Sequence, residues 1–504
     1  MLPTPADAIA LFARTQPTKI AATELVSGET WTYAALDDAV SRLANHLLRS
    51  GCKPGDRVAV LSRNSVRQVM LHFACGRTGM IYVPLNWRLS AVELSELIAI
   101  AGPALLLCDE QSAPLLQDHP RVNSLPEFVS ASAATPRLTD NPLPEQLRHP
   151  DRPSLILFTS GTSGRAKGVL LSERHLQHAA TNFAMLTAVG SESCFLCEAP
   201  MFHTIGLVAN IRPVLQQGGS ILVSDGFQPQ RTLNWLCDRS LKISHYTGVP
   251  QMVESFRKQP DFDPIPLRQM TAIVTGGAPH ATNDIAAWLD DGVVMVSGFG
   301  MSEAGTVFGT PTDLNLIRNK LGSVGISAPG LQIRLVDNSG NDCQPGEAGE
   351  LWLRGDSLML GYWRDEQNTR DVFAEGNWFK TGDIVRCDEE GFFWIVDRKK
   401  DMFISGGENV YPAEIEALLS GYPGIKEAAV VGIPNEQWGE VGCLVAVLDA
   451  GKSFDEAGLI DYLKQHLAGY KVPKSVVIME ELPRTSTGKL QKRQLKDRLC
   501  RSSW

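Results

Sequence analysis

Ser154-Leu155-Ile156-Leu157-Phe158, running into Thr159-Ser160-Gly161-Thr162-Ser163-Gly164-Arg165-Ala166-Lys167-Gly168, is the stretch on which the reading of this chain turns. The first five residues are mostly apolar and read as a buried strand. The ten that follow read as a loop. Its glycines let backbone N–H groups crowd around an anion, four hydroxyls add donors, and Lys167 adds a positive charge. That combination suits a polyphosphate; an ordinary Ser/Gly turn is the bland alternative. It is not a Walker A loop, because Ala166 stands where that motif needs Gly before its Lys.

On both sides of this stretch, strands alternate with helices. Upstream, Leu36, Val40, Leu43 and Leu47 repeat at helical spacing and stop before Gly51. Asp56–Leu61 reads as a strand, Gln68–Gly79 as a helix, Tyr82–Leu85 as a strand, Ala91–Ala101 as a helix and Ala104–Cys108 as a strand. Ala131–Asp151, rich in Pro, Ser and Thr, reads as a surface crossover. Downstream, strands are expected at Ser220–Val223, Ile243–Tyr246, Ala272–Thr275 and Val293–Val296. Alternation of this kind predicts α/β architecture with doubly wound parallel sheets. From Gly322 to Trp394 short, turn-separated strands rich in Gly and Asp suggest a small β-barrel, and a smaller α+β unit follows Asp401.

The 504 residues are 43% hydrophobic and 20% charged, as in ordinary globular chains. A net charge of −9 argues against general nucleic-acid binding. No apolar run reaches the ~18 residues of a membrane span, and Met1–Pro5 shows no basic lead into an apolar segment. A cytoplasmic protein, monomeric or homodimeric, is expected, with peripheral membrane contact left open. Ten scattered cysteines suit a reducing compartment. The one C-x-x-C, Cys194 and Cys197, lies in an apolar strand-like run without a second pair, so a zinc or redox site is not expected.

Later segments carry their own chemistry. Thr275-Gly276-Gly277-Ala278-Pro279 offers a backbone-rich, side-chain-poor surface against which a planar base could lie. Gly298-Phe299-Gly300-Met301-Ser302-Glu303 places an aromatic face, two glycines, a hydroxyl and a carboxylate within six residues. The Glu303 carboxylate supplies hard oxygens of the kind Mg²⁺ prefers.

The decapeptide at Thr159–Gly168 resembles the phosphate loop of the adenylate-forming superfamily, in its acyl- and aryl-CoA synthetase branch. The likeness covers nearly the whole chain: Trp31-Thr32-Tyr33, Gly55-Asp56-Arg57-Val58, Asn64-Ser65 and Val83-Pro84-Leu85-Asn86 resemble the N-terminal half, and the later blocks follow in order. The resemblance implies a large N-terminal domain, residues 1–397, made of two doubly wound sheets and a small barrel. A hinge at 398–400 and a mobile C-terminal domain at 401–504 would follow. ATP, Mg²⁺ and coenzyme A are the co-substrates and ion it implies.

The same resemblance implies residue roles. Gly276, Gly277, Ala278 and Pro279 would flank adenine, with Phe299 stacked nearby and Gly298, Gly300 and Met301 around it. Ser302 would meet phosphate, and Glu303 would hold Mg²⁺. The family more often has Tyr and Thr at the places of Phe299 and Ser302. Asp383, in Trp378-Phe379-Lys380-Thr381-Gly382-Asp383, and Arg398 would contact the ribose; Ile395 belongs to the same nucleotide set. Lys400 would be the hinge, and Ser405, Gly406 and Gly407 would line the thiol tunnel. Lys489, in Pro483-Arg484-Thr485-Ser486-Thr487-Gly488-Lys489, would be the catalytic lysine, acting with Lys167, Glu303 and His203. The basic tail (Lys492, Arg493, Lys496, Arg498, Arg501) reads as a solvated helix face, with CoA phosphate contact as the sharper alternative.

For the acid, Pro200-Met201-Phe202-His203-Thr204-Ile205-Gly206-Leu207 is the informative block. Amino-acid-activating relatives carry Asp where this chain has His203, and malonate-type relatives carry Arg where it has Gly298. A monocarboxylic acid is therefore implied. His203, Thr204, Ile205, Tyr246, Val249 and Gly305 are the expected walls, mostly apolar or small. A medium- or long-chain fatty acid is the first expectation. An aryl or cinnamic-type acid, or an acyl-AMP ligase that loads a carrier protein, is the alternative; a non-catalytic scaffold is disfavoured by the intact Lys167, Glu303 and Lys489.

Overall fold

A computed structural model describes residues 7–117, 119, 121–138, 149–159, 166–278, 280–405, 408–435, 437–449, 454–484 and 490–501, without the side chains of 409 and 501. It divides into two compact units, Met1–Gln332 with Leu353–Phe379, and Ile333–Trp352 with Lys380–Trp504.

The first unit holds two doubly wound sheets. One has nine strands among the described residues. Its centre is six parallel strands in the order Met295–Met301, Ala272–Thr275, His245–Gly248, Cys194–Cys197, Ser220–Val223 and Ile20–Glu24. Gly305–Gly309 turns back antiparallel on Met295–Met301 at one side. The other sheet has seven strands, with Ile81–Leu85, Arg57–Leu61 and Leu105–Cys108 side by side and parallel. Pro153–Thr159 joins it in parallel through Ile81–Leu85, and Lys167–Ser172 pairs antiparallel with Pro153–Thr159. The strands that flank the phosphate-loop segment thus pair with each other, their last rungs being Phe158 opposite Gly168 and Thr159 opposite Lys167.

The helices follow local chemistry. Tyr33–Arg49 starts on a Thr32 cap and buries Leu36, Val40, Leu43 and Leu47 completely. Ala91–Ala101 begins with a Ser90–Glu93 capping box and ends at Gly102. The helix expected at Gln68–Gly79 begins two residues earlier, at Val66, because Ser65 caps it. Two strands are displaced forward from their expected places. The expected Ile243–Tyr246 is His245–Gly248, and the expected Val293–Val296 runs on through the glycines to Met301, since an antiparallel partner pairs them. The loose Ala131–Asp151 stretch opens with the end of the helix Leu125–Ser132, and residues 139–148 lie outside the described set.

The short strands expected for a small barrel form a curled five-stranded sheet. It comprises Leu331–Val336, Ala348–Gly355, Trp378–Cys387 and Phe373–Ala374, with Phe393–Arg398 also on Trp378–Cys387. The smaller C-terminal α+β part has a second five-stranded sheet. Its long hairpin of Ile425–Asn435 and Gly439–Leu448 carries the buried Val430, Leu444 and Val445. Pro412 sits in the first turn of the helix Pro412–Leu419, where its missing N–H costs nothing. No described helix is long and apolar enough to cross a membrane.

Candidate functional site

In the first unit, the best-defined constellation gathers around Tyr362. Its short strand Gly361–Tyr362 pairs with Leu170 and Val169, next to the stem of the loop. The Lys167 ammonium lies 4.8 Å from the Tyr362 ring centroid and donates to Asn368 Oδ1 at 2.8 Å. On the other side, the Tyr362 hydroxyl donates to Glu303 Oε1 at 3.1 Å. Burial and the Glu303 charge push this phenol far above its ordinary range, so it stays a donor at any working pH. Among the described residues Lys167 has no carboxylate partner. A cation and a hard-oxygen carboxylate are therefore held apart by one aromatic ring.

Glu303 owes its place to a hairpin. Met295–Met301 and Gly305–Gly309 pair with Phe299 opposite Phe308 and Met301 opposite Gly305, and Ser302–Ala304 form the turn. Gly305 has φ +66°, and a Cβ on it would lie 2.5 Å from the Ala179 Cβ, so only glycine closes this turn against its helix. The Glu303 carbonyl accepts from Met359 N at 2.7 Å, which fixes the turn's backbone. A solvated glutamate at a helix start is thereby excluded.

The segments expected to take the base meet. A Cβ on Gly276 would lie 3.1 Å from the Gly298 carbonyl oxygen, so the two glycine stretches abut backbone to backbone. Phe299 lies half-buried with its ring 5.9 Å from that of Phe308, at 33°. Gly277, at φ +80°, faces Ile205 Cδ1 at 3.2 Å and Val249 Cγ1 at 3.9 Å from its Cβ position. Two of the expected acid walls thus converge on a missing side chain. Thr204 joins the acid and phosphate segments, its hydroxyl 2.9 Å from that of Ser302. The His203 ring packs 4.6 Å from Phe202. Ile205–Ile211 forms a π-helical segment, a rare geometry that recurs at functional sites.

Two expected walls are placed elsewhere. Tyr246 is wholly buried and its hydroxyl donates to Glu198 Oε2 at 3.3 Å, so it is part of the core. Gly305 turns its Cβ position toward Ala179 and His175. Beneath the pocket segment, Glu198 is buried and also accepts from Thr232 at 2.7 Å; burial raises its carboxyl to about 7. A small cleft is lined by Phe183, Leu186, Val274, Val296, Gly298 and Phe308. The C-x-x-C pair is two buried thiols in one strand, both free.

In the second unit, Asp383 and Arg398 stand opposite each other in register, and Arg398 Nε donates to Asp383 Oδ1 at 2.9 Å. Asp383 is buried and Arg398 is half-exposed, so the pair presents its guanidinium outward. Ile395 lies on the same strand, Phe393–Arg398. Lys400 occupies an exposed turn after it, and Ser405 ends a strand, buried. Lys492 and Lys496 of the basic tail are tied to Glu416 at 2.8 Å and Glu440 at 2.7 Å. Ser160, Gly161, Thr162, Ser163, Gly164, Pro279, Gly406, Gly407 and Lys489 lie outside the described residues.

Tyr362 and Asn368 escaped the sequence reading. They stand 59 and 201 positions from the residues they hold, and no local spacing marks them. Arg63 and Arg88, which stack on Trp87 at 4.5 and 4.9 Å beside Phe202, were missed for the same reason.

Residues 9–363 match the family model described as AMP-binding enzyme, and residues 414–489 match the AMP-binding enzyme C-terminal domain. The chain is 37% identical to a feruloyl-CoA synthase of Amycolatopsis sp., over 94% of each chain. It is 34% identical to an indoleacetate–CoA ligase of Aromatoleum aromaticum, again over 94% of each. Among solved structures it superposes on ATP-bound MatB from Rhodopseudomonas palustris with a TM-score of 0.89, at 29% identity, covering 98% of this chain and 99% of that one.

Proposed function

The chain belongs to the AMP-binding enzyme family, as an AMP-forming acid–CoA ligase, and on that premise we propose that its acid is an aryl monocarboxylic acid of the cinnamic type. The observation that carries the ligase chemistry is the Lys167–Tyr362–Glu303 constellation. The aryl choice rests on the bare Gly277 surface between Ile205 and Val249, and on the feruloyl and indoleacetyl relatives. The fatty acid put first from sequence gives way to it.

ATP, Mg²⁺ and CoA serve the reaction. The donor set fits the ion: the Glu303 carboxylate keeps acceptor capacity after accepting one hydrogen bond from the Tyr362 phenol. Bound there, Mg²⁺ would neutralise phosphate charge. The acid is already a carboxylate near neutral pH and needs no base. Its oxygen attacks the α-phosphorus, the bond to the β-phosphate oxygen breaks, and pyrophosphate leaves. The obstacle is repulsion between anions, so preorganised positive charge and positioning do the work. Lys167 and the hydroxyls of the loop hold the departing phosphates. Gly276–Pro279 and Phe299 take the base, and Asp383 and Arg398 the ribose. Lys489 bridges the carboxylate and the α-phosphate.

The CoA thiol then attacks the carbonyl carbon of the mixed anhydride. A C–S bond forms, the C–O bond to AMP breaks, and the thiol proton passes to solvent. We assign Lys400 as the hinge that exchanges Lys489 for the Ser405-Gly406-Gly407 face between the two steps. A panel of cinnamic, arylacetic, medium-chain and long-chain acids with ATP and Mg²⁺, read by pyrophosphate release, tests the substrate class. Adding CoA and measuring AMP and thioester tests the acceptor. The cinnamic acids are expected to give the highest kcat/KM; a fatty acid that exceeds them overturns the aryl assignment. Lys489→Ala is expected to abolish adenylate formation while sparing thioester formation from synthetic acyl-adenylate.

A further inference from the structure

The π-helical run Ile205–Ile211 closes on Arg212, whose backbone N–H donates to the Leu207 carbonyl, five residues back. An α-helix would close on Val208 instead. The π form is the rare one, and a rare backbone form persists only where its surroundings over-determine it. Both ends of this run are pinned, by different means.

The first end is pinned by close packing. A Cβ on Gly206 would lie 2.1 Å from the Pro200 carbonyl oxygen, so only glycine passes here. Asn64 fixes the chain on either side of Pro200, donating to the Ala199 carbonyl and accepting from Met201 N, each at 2.9 Å. The second end is pinned by charge. The Arg212 side chain is 10% exposed. Its Nε donates to His72 Nε2 at 2.8 Å, and Nη1 and Nη2 donate to Glu173 Oε2 at 3.2 and 3.3 Å. Burial acts to raise the Glu173 carboxyl, but the Arg212 and Arg152 charges bring it down to about 2, so the pair stays ionised. Glu173 also accepts from the Ser154 hydroxyl. It opens the helix Glu173–Leu186 directly after the strand Lys167–Ser172, so Arg212 is tied to the frame that carries Lys167.

A shift of the run by one residue would swing Arg212 about 100° around the helix axis and off both partners. Mostly buried ion pairs contribute little net stability, and their best-attested use is to fix a register. Here there is a register to fix. We propose that Arg212, through Glu173 and His72, locks the π register of Ile205–Ile211 and thereby sets where Ile205 stands against Gly277, as a positioning residue for the acid. The consequence for the acid rests on the reading of Ile205 as an acid wall; the lock itself does not.

The register is read by hydrogen–deuterium exchange of the 205–212 amides in the full-length protein, and the acid by pyrophosphate release. Arg212→Lys keeps a charge beside Glu173, but one ammonium cannot reproduce the planar fork. Arg212→Met/Glu173→Leu replaces the pair with apolar side chains and is expected to melt close to the wild type. In both variants exchange at 205–212 is expected to quicken while the strand Ala272–Thr275 keeps its protection. kcat/KM for the acid is expected to fall by up to about 10²-fold, through KM for the acid, with KM for ATP near the wild-type value. Ile205→Ala separates the two layers of the claim. Wild-type exchange at 205–212 in a folded variant overturns the lock. Quickened exchange with an unchanged acid KM overturns the positioning role if Ile205→Ala does raise that KM. If Ile205→Ala leaves the KM of every acid unchanged, the acid-wall reading fails and the quickened exchange still supports the lock.

Discussion

Lys167 and Lys492 are the same side chain put to opposite uses. Lys492 is gripped by both oxygens of Glu416, at 2.8 and 3.0 Å, and Glu416 also accepts from Val430 N at 2.7 Å. Lys167 rests against an amide oxygen and an aromatic face, with the nearby carboxylate turned to a tyrosine instead. The first charge is spent on the fold. The second is held in position but not neutralised, which is what a site for a polyanion requires. A lysine in a sequence motif carries no chemistry until its partners are known.

The sharpest way to break this comparison is to remove the carboxylate that leaves Lys167 unpaired. Glu303→Gln is expected to lower adenylate formation by about 10²–10³-fold, the scale for losing one preorganised charge contact, with an unchanged melting temperature. Lys167→Met should cost about 10²-fold in kcat/KM on the same grounds. Lys492→Met is the mirror experiment. It strands the Glu416 carboxylate and should cost about 3 kcal/mol in denaturant unfolding, with pyrophosphate release at saturating substrate kept in the folded fraction.

A third region extends the contrast to a charge the fold avoids. Glu198 has its carboxyl raised by burial to about 7, above its value in the unfolded chain. Between roughly pH 4.5 and 7 the folded chain therefore holds a proton that the unfolded chain has released, so stability falls as pH rises through that window. Glu198→Gln should flatten this dependence and raise stability at pH 8 by up to about 3 kcal/mol, measured by urea unfolding across pH. The smallest effect belongs to Tyr362→Phe. It keeps the ring under Lys167 but removes the hydroxyl from Glu303, and should cost about tenfold in adenylate formation.

How far the sequence carried the reading follows from the range of each interaction. Helices and parallel strands were legible because periodicity is local: Leu36, Val40, Leu43 and Leu47 announce the buried face of their helix. The glycine segments were legible as segments, but that Gly276 meets Gly298, or Gly277 meets Ile205, is a tertiary fact. Tyr246 was expected as a pocket wall; that its hydroxyl turns to Glu198 is again a tertiary fact. Asp383 and Arg398 were read as two separate ribose contacts, and the strand register makes them one ion pair.

The most direct test of the account is acid-dependent exchange of labelled pyrophosphate into ATP in the absence of CoA, with wild type, Glu303→Gln and Lys492→Met side by side. Rapid exchange with a cinnamic-type acid in wild type and folded Lys492→Met, and its near-complete loss in Glu303→Gln, is the predicted result. Exchange with no acid of the panel, or exchange in Glu303→Gln equal to wild type, would contradict it.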